Sequence, residues 1–226
     1  AYLYAGQTAT STTVNSAGVL TVSAGGHAIN TTVNSGGHMV VSNSWDSGVG
    51  SATDTTVNSG GYINLVSGVV INGNNVFGGT VIADGAVNAE NANIAFDIHE
   101  RNNSDGIIID NLANILGASY SVSVSADQTA GTYQLAGGAS FFNENITVTY
   151  TNGTQLGTLS CGEQLAYGQY TYSLAKTGGT LSFTVAANTQ RSYRKGDLIC
   201  KGTPDILMVN PAASDAGAWL MDAKGN

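Results

Sequence analysis

The stretch Thr12-Thr13-Val14-Asn15-Ser16 recurs unchanged at Thr31–Ser35 and again at Thr55–Ser59, in steps of 19 and 24 residues. Each copy runs into a small-residue turn: Ala17-Gly18, Gly36-Gly37 and Gly60-Gly61. Each turn runs into a short apolar strand: VLTVS, HMVVS and YINLVS. The unit reads as strand, Gly turn, strand, turn. A repeat of about 20 residues built from short strands implies a solenoid, because one unit cannot bury its own apolar face and stacked units can. Val14, Val33 and Val57 then lie above one another in a continuous core, about 4.8 Å apart. Asn15, Asn34 and Asn58 share one register, and stacked Asn side chains hydrogen-bond along such a ladder. Val and Asn are adjacent, so they occupy opposite faces of a regular strand. Val inward sets Asn outward, unless the strand bends there. The longer second step fits an insertion in NSWDSGVGSATD.

Outward from the repeat, the pattern decays but continues. VVINGNNVFGG, TVIADGAVNAE and NIAFDIHE are further short strands with Gly or Asn turns, which extends the solenoid over residues 1–105. From 106 to 190 the strands lengthen and alternate more cleanly: SYSVSVSA, NITVTYTNG, QYTYSLA and TLSFTVA. Clean alternation implies one buried and one wet face. Turn signals at Thr151-Asn152-Gly153-Thr154 and Thr177-Gly178-Gly179 point to antiparallel hairpins. This segment reads as a β-sandwich-like or meander module capping the solenoid, whose last rung would otherwise expose unpaired backbone groups. Residues 191–226 read as a linker and a partial repeat.

Composition agrees with an all-β chain. Val, Ile and Thr recur, and their stiff χ1 suits a pleated surface. Of 226 residues, 30 are Gly and 2 are Pro, so Gly, Asn and Ser carry the turns. The net charge of −8 argues against nucleic acid, whose backbone selects Lys and Arg. The one basic cluster, Arg191, Arg194 and Lys195, reads as a solvated linker. Cys161 and Cys200 form no CxxC motif; an oxidising compartment would allow a disulfide, and free thiols are the expectation. No apolar run reaches the length of a membrane helix. AYLYAGQTAT lacks the basic and apolar regions of a signal peptide. The chain starts and stops within apparent repeats and reads as a piece of something longer.

TTVNSGG, followed by a strand and a second Gly turn, resembles the strand-loop-strand repeats of AIDA-like autotransporter passenger domains, surface adhesins of Gram-negative bacteria. The resemblance covers residues 7 to about 90, and Gly131-Thr132-Tyr133-Gln134-Leu135 resembles a strand that follows such repeats in large bacterial surface proteins. It implies a right-handed parallel β-helix, secreted and displayed at the cell surface on the outer membrane. It implies host-cell surfaces or glycans as partners. Some relatives carry heptose on Ser or Thr, so it also implies a heptosyltransferase partner, with Ser16, Ser35 and Ser59 as the matching acceptors. Residues 196–226 resemble a single FG-GAP-type repeat through Asp197, Gly202, Asp205, Ile206, Leu207, Trp219 and Met221. That loop often binds Ca²⁺, but Ile199 and Lys201 stand at inner ligand positions and cannot ligate a hard cation. No metal and no cofactor are expected.

Some parallel β-helices cleave polysaccharides, which takes paired carboxylates or carboxylates with Arg or Lys. The best cluster is Asp97, Glu100, Arg101, Asp105 and Asp110, in a polar loop where charge collects without catalysis. His27 and His38 follow Gly-Gly turns, and Tyr62 stands at the same place in the third repeat, so the position reads as an exposed strand start. No GxSxG, P-loop or dinucleotide fingerprint occurs. The ligand-binding candidates are Trp45 and Asp46 in the insertion, where an exposed indole can stack on a sugar. Three functions follow: a non-catalytic adhesin, a tailspike- or lyase-like enzyme, or a structural spacer.

Overall fold

The computed structural model describes residues 1–44, 48–188, 205–210 and 215–220. The chain divides into two units, Ala1–Asn188 and Thr189–Asn226.

The first unit begins as a three-walled parallel solenoid. One wall stacks Tyr2–Leu3, Val19–Val22, His38–Val41, Tyr62–Val66 and Thr80–Asp84 in parallel. A second stacks Thr8–Thr10, His27–Ile29, Ser51–Thr53, Val70–Phe77 and Val87–Asp97. A third stacks Thr13–Val14, Thr32–Val33 and Thr56–Val57, then runs onto the end of Val70–Phe77. Each early rung therefore has three strands, one more than the sequence pattern suggests. His27 begins the second wall and His38 the first, so the two are not equivalent.

The missed strand break lies, in its first three occurrences, at residues other than glycine. Between the second and third walls the chain turns at Ser11, Asn30, Asp54 and Gly73, with φ of 55°, 53°, 52° and 69°. Asn and Asp tolerate this left-handed region better than most residues with a Cβ. Between the third and first walls the turn residues are Ala17, Gly36 and Gly60, at φ 61°, 71° and 76°. Stacked turns bond from rung to rung: the amide of Ala17 donates to the carbonyl of Gly36 at 2.9 Å, and that of Gly36 to Gly60 at 2.8 Å. Between the first and second walls, the expected insertion forms an antiparallel hairpin, Asn43–Ser44 with Gly48–Val49.

Alternation fills the interior. Val14, Val33 and Val57 are buried in one column, and Leu20, Met39, Ile63 and Val81 in another. Farther along, Phe77 and Phe96 pair in register and are fully buried.

Parallel stacking does not stop near residue 105. Ser119–Val124 pairs in parallel with Val87–Asp97, and Ile146–Tyr150 in parallel with Ser119–Val124. Ile109 bridges Val81 and Ala136 in parallel, which carries the first wall onward. The turn signals predict antiparallel hairpins for SYSVSVSA and NITVTY, and of the two only NITVTY forms one. Alternation reports which face of a strand is buried, and it is silent on the direction of the neighbour. The expected antiparallel pairing does occur later. Ile146–Tyr150 turns back through Asn152-Gly153 into Gln155–Leu159. Gln164–Tyr167, Tyr170–Thr177 and Thr180–Ala187 form an antiparallel meander that adds to Gly131–Ala136.

In the second unit, Asp205–Asn210 and Asp215–Leu220 form an antiparallel pair with Ile206 opposite Trp219. Asp197, Ile199, Lys201, Gly202 and Met221 of the FG-GAP resemblance lie outside the described residues, as does Cys200.

Candidate functional site

The TTVNS column builds the most regular outer surface. Within each copy the first Thr and the Val point inward, and the second Thr and the Asn point outward: Thr31 and Val33 are buried, Thr32 and Asn34 half-buried. The strand does not bend at Val-Asn. Asn34 donates from Nδ2 to Oδ1 of Asn15 at 2.8 Å, and Asn58 donates to Asn34 at 2.8 Å. Asn34 thus uses its donor toward one rung and its acceptor toward the next.

The serines follow at the corner. Ser16 and Ser35 are exposed and Ser59 is half-buried. A Cβ on Gly36 would stand 2.7 Å from Oγ of Ser16, and one on Gly60 would stand 2.5 Å from Oγ of Ser35. Glycine at these turns is therefore required twice, for its left-handed φ and for the serine stacked against it.

Trp45 and Asp46 lie outside the described residues. On either side of them, Asn43–Ser44 and Gly48–Val49 pair antiparallel between the first and second walls.

The carboxylates at 97–110 are engaged one by one. Oδ1 of Asp97 contacts Nδ1 of His99 at 2.6 Å, and Glu100 lies 3.5 Å from Nε2. Partial burial pulls the His99 pKa down; the hydrogen bond and charge of Asp97, with Glu100 behind them, outweigh it and leave the imidazole above its ordinary value. Asp105 accepts from the amide of Asn102 at 2.9 Å, and Asp110 from the amide of Ala83 at 2.8 Å. The Arg101 guanidinium donates to the carbonyl of Gly78 at 2.6 Å and to that of Gly106. These are the bonds of a braced loop, with Arg101 tying it to the preceding rung. His27 bonds Oγ of Ser51 at 2.8 Å, and His38 packs edge-on against Tyr62 with ring centres 4.4 Å apart.

Residues 2–50 match the AIDA family, described as an adhesin of the bacterial autotransporter system and a probable stalk. The N-terminal rungs are AIDA-like. No curated protein matches the chain. Among solved structures, a TibA fragment hyper-glycosylated by TibC catalysis matches at 32% identity with a TM-score of 0.34. The match covers 55% of this chain and 45% of that one, so the chain spans less than half the length of that fragment. The AIDA-like match implies a cell-surface or secreted location.

Sequence reasoning missed three features of this surface: the inward Thr column, the third wall and the brace made by Arg101. The Thr column had a signal, since Thr12, Thr31 and Thr55 stand two residues before Val14, Val33 and Val57 and so share their face. Arg101 had none, because its partners are carbonyls.

Proposed function

We propose that the chain is part of a non-catalytic adhesin passenger, a stalk that carries binding surfaces toward host-cell surfaces or glycans outside a Gram-negative outer membrane. The observation that carries this reading is the parallel stack with its Asn ladder, whose Asn15 and Asn34 rungs fall in the segment matched to an adhesin stalk. Stacked rungs give length and stiffness from short, weakly charged repeats. The hairpin of Asn43–Ser44 and Gly48–Val49, whose sequence neighbours are Trp45 and Asp46, is an elaboration the stack itself does not need.

The test is display of the full chain on a non-adherent bacterium, with attachment to cultured cells counted. Attachment above the undisplayed control is expected. Attachment equal to the control, with the chain folded, would leave the spacer reading. The enzymatic reading predicts turnover of a polysaccharide panel that is lost on Asp97→Ala or Asp110→Ala. Its support is weak, since both carboxylates hold neighbouring groups.

A heptosyltransferase is proposed as a partner, with Ser16, Ser35 and Ser59 as acceptors. Exposure favours Ser16 and Ser35 over the half-buried Ser59. Intact-mass measurement of protein made with such a transferase should show heptose increments that shrink in the triple Ser→Ala variant. An unchanged ladder of masses would move the acceptors elsewhere.

A further inference from the structure

The corner between the first and second walls is tight where the repeat is regular, with left-handed Gly25 and Gly68. Near the end of the stack it opens into two long segments, 110–118 and 137–145. They diverge and leave a groove of about 420 Å³ between successive rungs. That volume is in the range of small-molecule sites, about 300–1,000 Å³.

The groove has a rigid aromatic floor. Tyr120 stacks on Phe96 with ring centres 6.1 Å apart and meets Phe142 edge-on at 5.4 Å. Burial first, and Glu144 second, raise the Tyr120 phenol to about 12, so it remains a hydrogen-bond donor at neutral pH. Asn143 and Glu144 line the rim. Beside them stands Phe141, a wall residue that is 89% exposed.

An exposed ring on a slack loop would carry no meaning, but this segment is pinned. The amide of Gly137 donates to Ile109 at 2.9 Å, that of Leu112 to Gly137 at 2.8 Å, and that of Ala139 to Gly179 at 2.8 Å. Nζ of Lys176 donates to the carbonyl of Phe142 at 2.8 Å. The fold thus holds a large apolar ring in water, next to a phenol, an amide and a carboxylate. A flat apolar face flanked by a few polar groups suits a sugar ring, which offers an apolar C–H face and an equatorial belt of hydroxyls. The carboxylate, in a chain of net charge −8, disfavours acidic sugars.

We infer that the groove between segments 110–118 and 137–145 binds a neutral saccharide, with Phe141 as the stacking platform and Tyr120, Asn143 and Glu144 as hydrogen-bonding groups. This deepens the adhesive reading and rests on it for the source of the sugar.

The experiment probes the full chain and its Phe141→Ala, Phe141→Trp and Glu144→Gln variants on one array of neutral and sialylated oligosaccharides. Circular dichroism verifies the fold, and sedimentation follows self-association. The wild-type chain should bind neutral oligosaccharides, at least tenfold more weakly after Phe141→Ala or Glu144→Gln and near wild-type after Phe141→Trp. Equal binding by all variants would overturn the site and leave the adhesive reading standing. Binding confined to sialylated glycans, or a wild-type dimer lost on Phe141→Ala with no glycan bound, would also overturn it. A blank array together with no cell attachment would remove both.

Discussion

Asn34 donates to Asn15 and accepts from Asn58, both at 2.8 Å, so one amide side chain joins three rungs. Asn15 and Asn58 each hold a single bond in this run. Asn34→Ala should therefore cost about twice what Asn15→Ala costs. With exposure reducing each bond toward the lower end of about 0.5–1.5 kcal/mol, the expected losses are about 1 and about 0.5 kcal/mol. Urea midpoints of the two variants check the ratio, and equal shifts would mean that the ladder is ornamental to stability.

The same column explains what could be read in advance. Identical pentapeptides at near-constant spacing force identical environments, so the stack, the Val column and the Asn register were legible from three copies. The third wall was not, because its bounding turns are Ser11, Asn30 and Asp54, three different residues that share only a tolerance for positive φ. Beyond residue 105 no copy of the repeat remains. Ser119–Val124 is then bound to its neighbours by a direction of pairing that alternation does not encode. The groove beside Phe141 was invisible for a related reason: its two walls, 110–118 and 137–145, are separate in sequence and meet only through stacking.

Glycine at the corner carries a sharper prediction. Gly60→Ala meets both the left-handed penalty, about 1–2 kcal/mol, and Oγ of Ser35. Ser35→Ala removes that oxygen, so the double variant should lose less than the sum of the two single changes. Gly37→Ala has no such rescue. Its Cβ would stand 2.4 Å from the backbone carbonyl of Val14, which no side-chain substitution can move. Ala17 is the internal control: it keeps φ 61° in the first rung. Thermal unfolding of the four variants tests the order.

Thr31 and Thr55 are buried at 1% exposure, and their Oγ1 atoms have no hydrogen-bond partner. A buried hydroxyl without a partner is destabilising by about 1–3 kcal/mol, and Val has nearly the same shape. Thr31→Val and Thr55→Val should each raise stability by about 1 kcal/mol, read as a higher urea midpoint with an unchanged slope. A lower midpoint would show that the hydroxyls are satisfied in solution.

His99 supplies a pH signature. Its folded pKa lies above the ordinary value because Asp97 and Glu100 favour the imidazolium against the opposing effect of burial. A raised folded pKa means that the stabilisation is fully present below the unfolded value, about 6.5, and is lost as pH rises through the folded value. An NMR titration should place His99 above 6.5 in the wild type and lower in Asp97→Asn, with stability of the variant flatter across that window. A midpoint unmoved by Asp97→Asn would detach the pair.

Arg101 tests whether 98–108 is a brace or a reactive loop. Its guanidinium holds the carbonyls of Gly78 and Gly106, the first in the preceding rung and the second within the loop. Removing it leaves both carbonyls without their charged donor and frees a polar segment, HERNNSDG, at the solenoid corner. Exposed polar loops released in this way are where proteases cut first. Arg101→Ala should therefore be nicked within residues 99–106 at protease concentrations that leave the wild type intact. Arg101→Lys should protect only partly, because an ammonium does not reproduce the planar fork that spans two carbonyls. Cleavage at the same rate in all three proteins would mean that the loop is held by its own turns, the amide of Arg101 to Ile98 and that of Asp105 to Asn102, and not by the side chain.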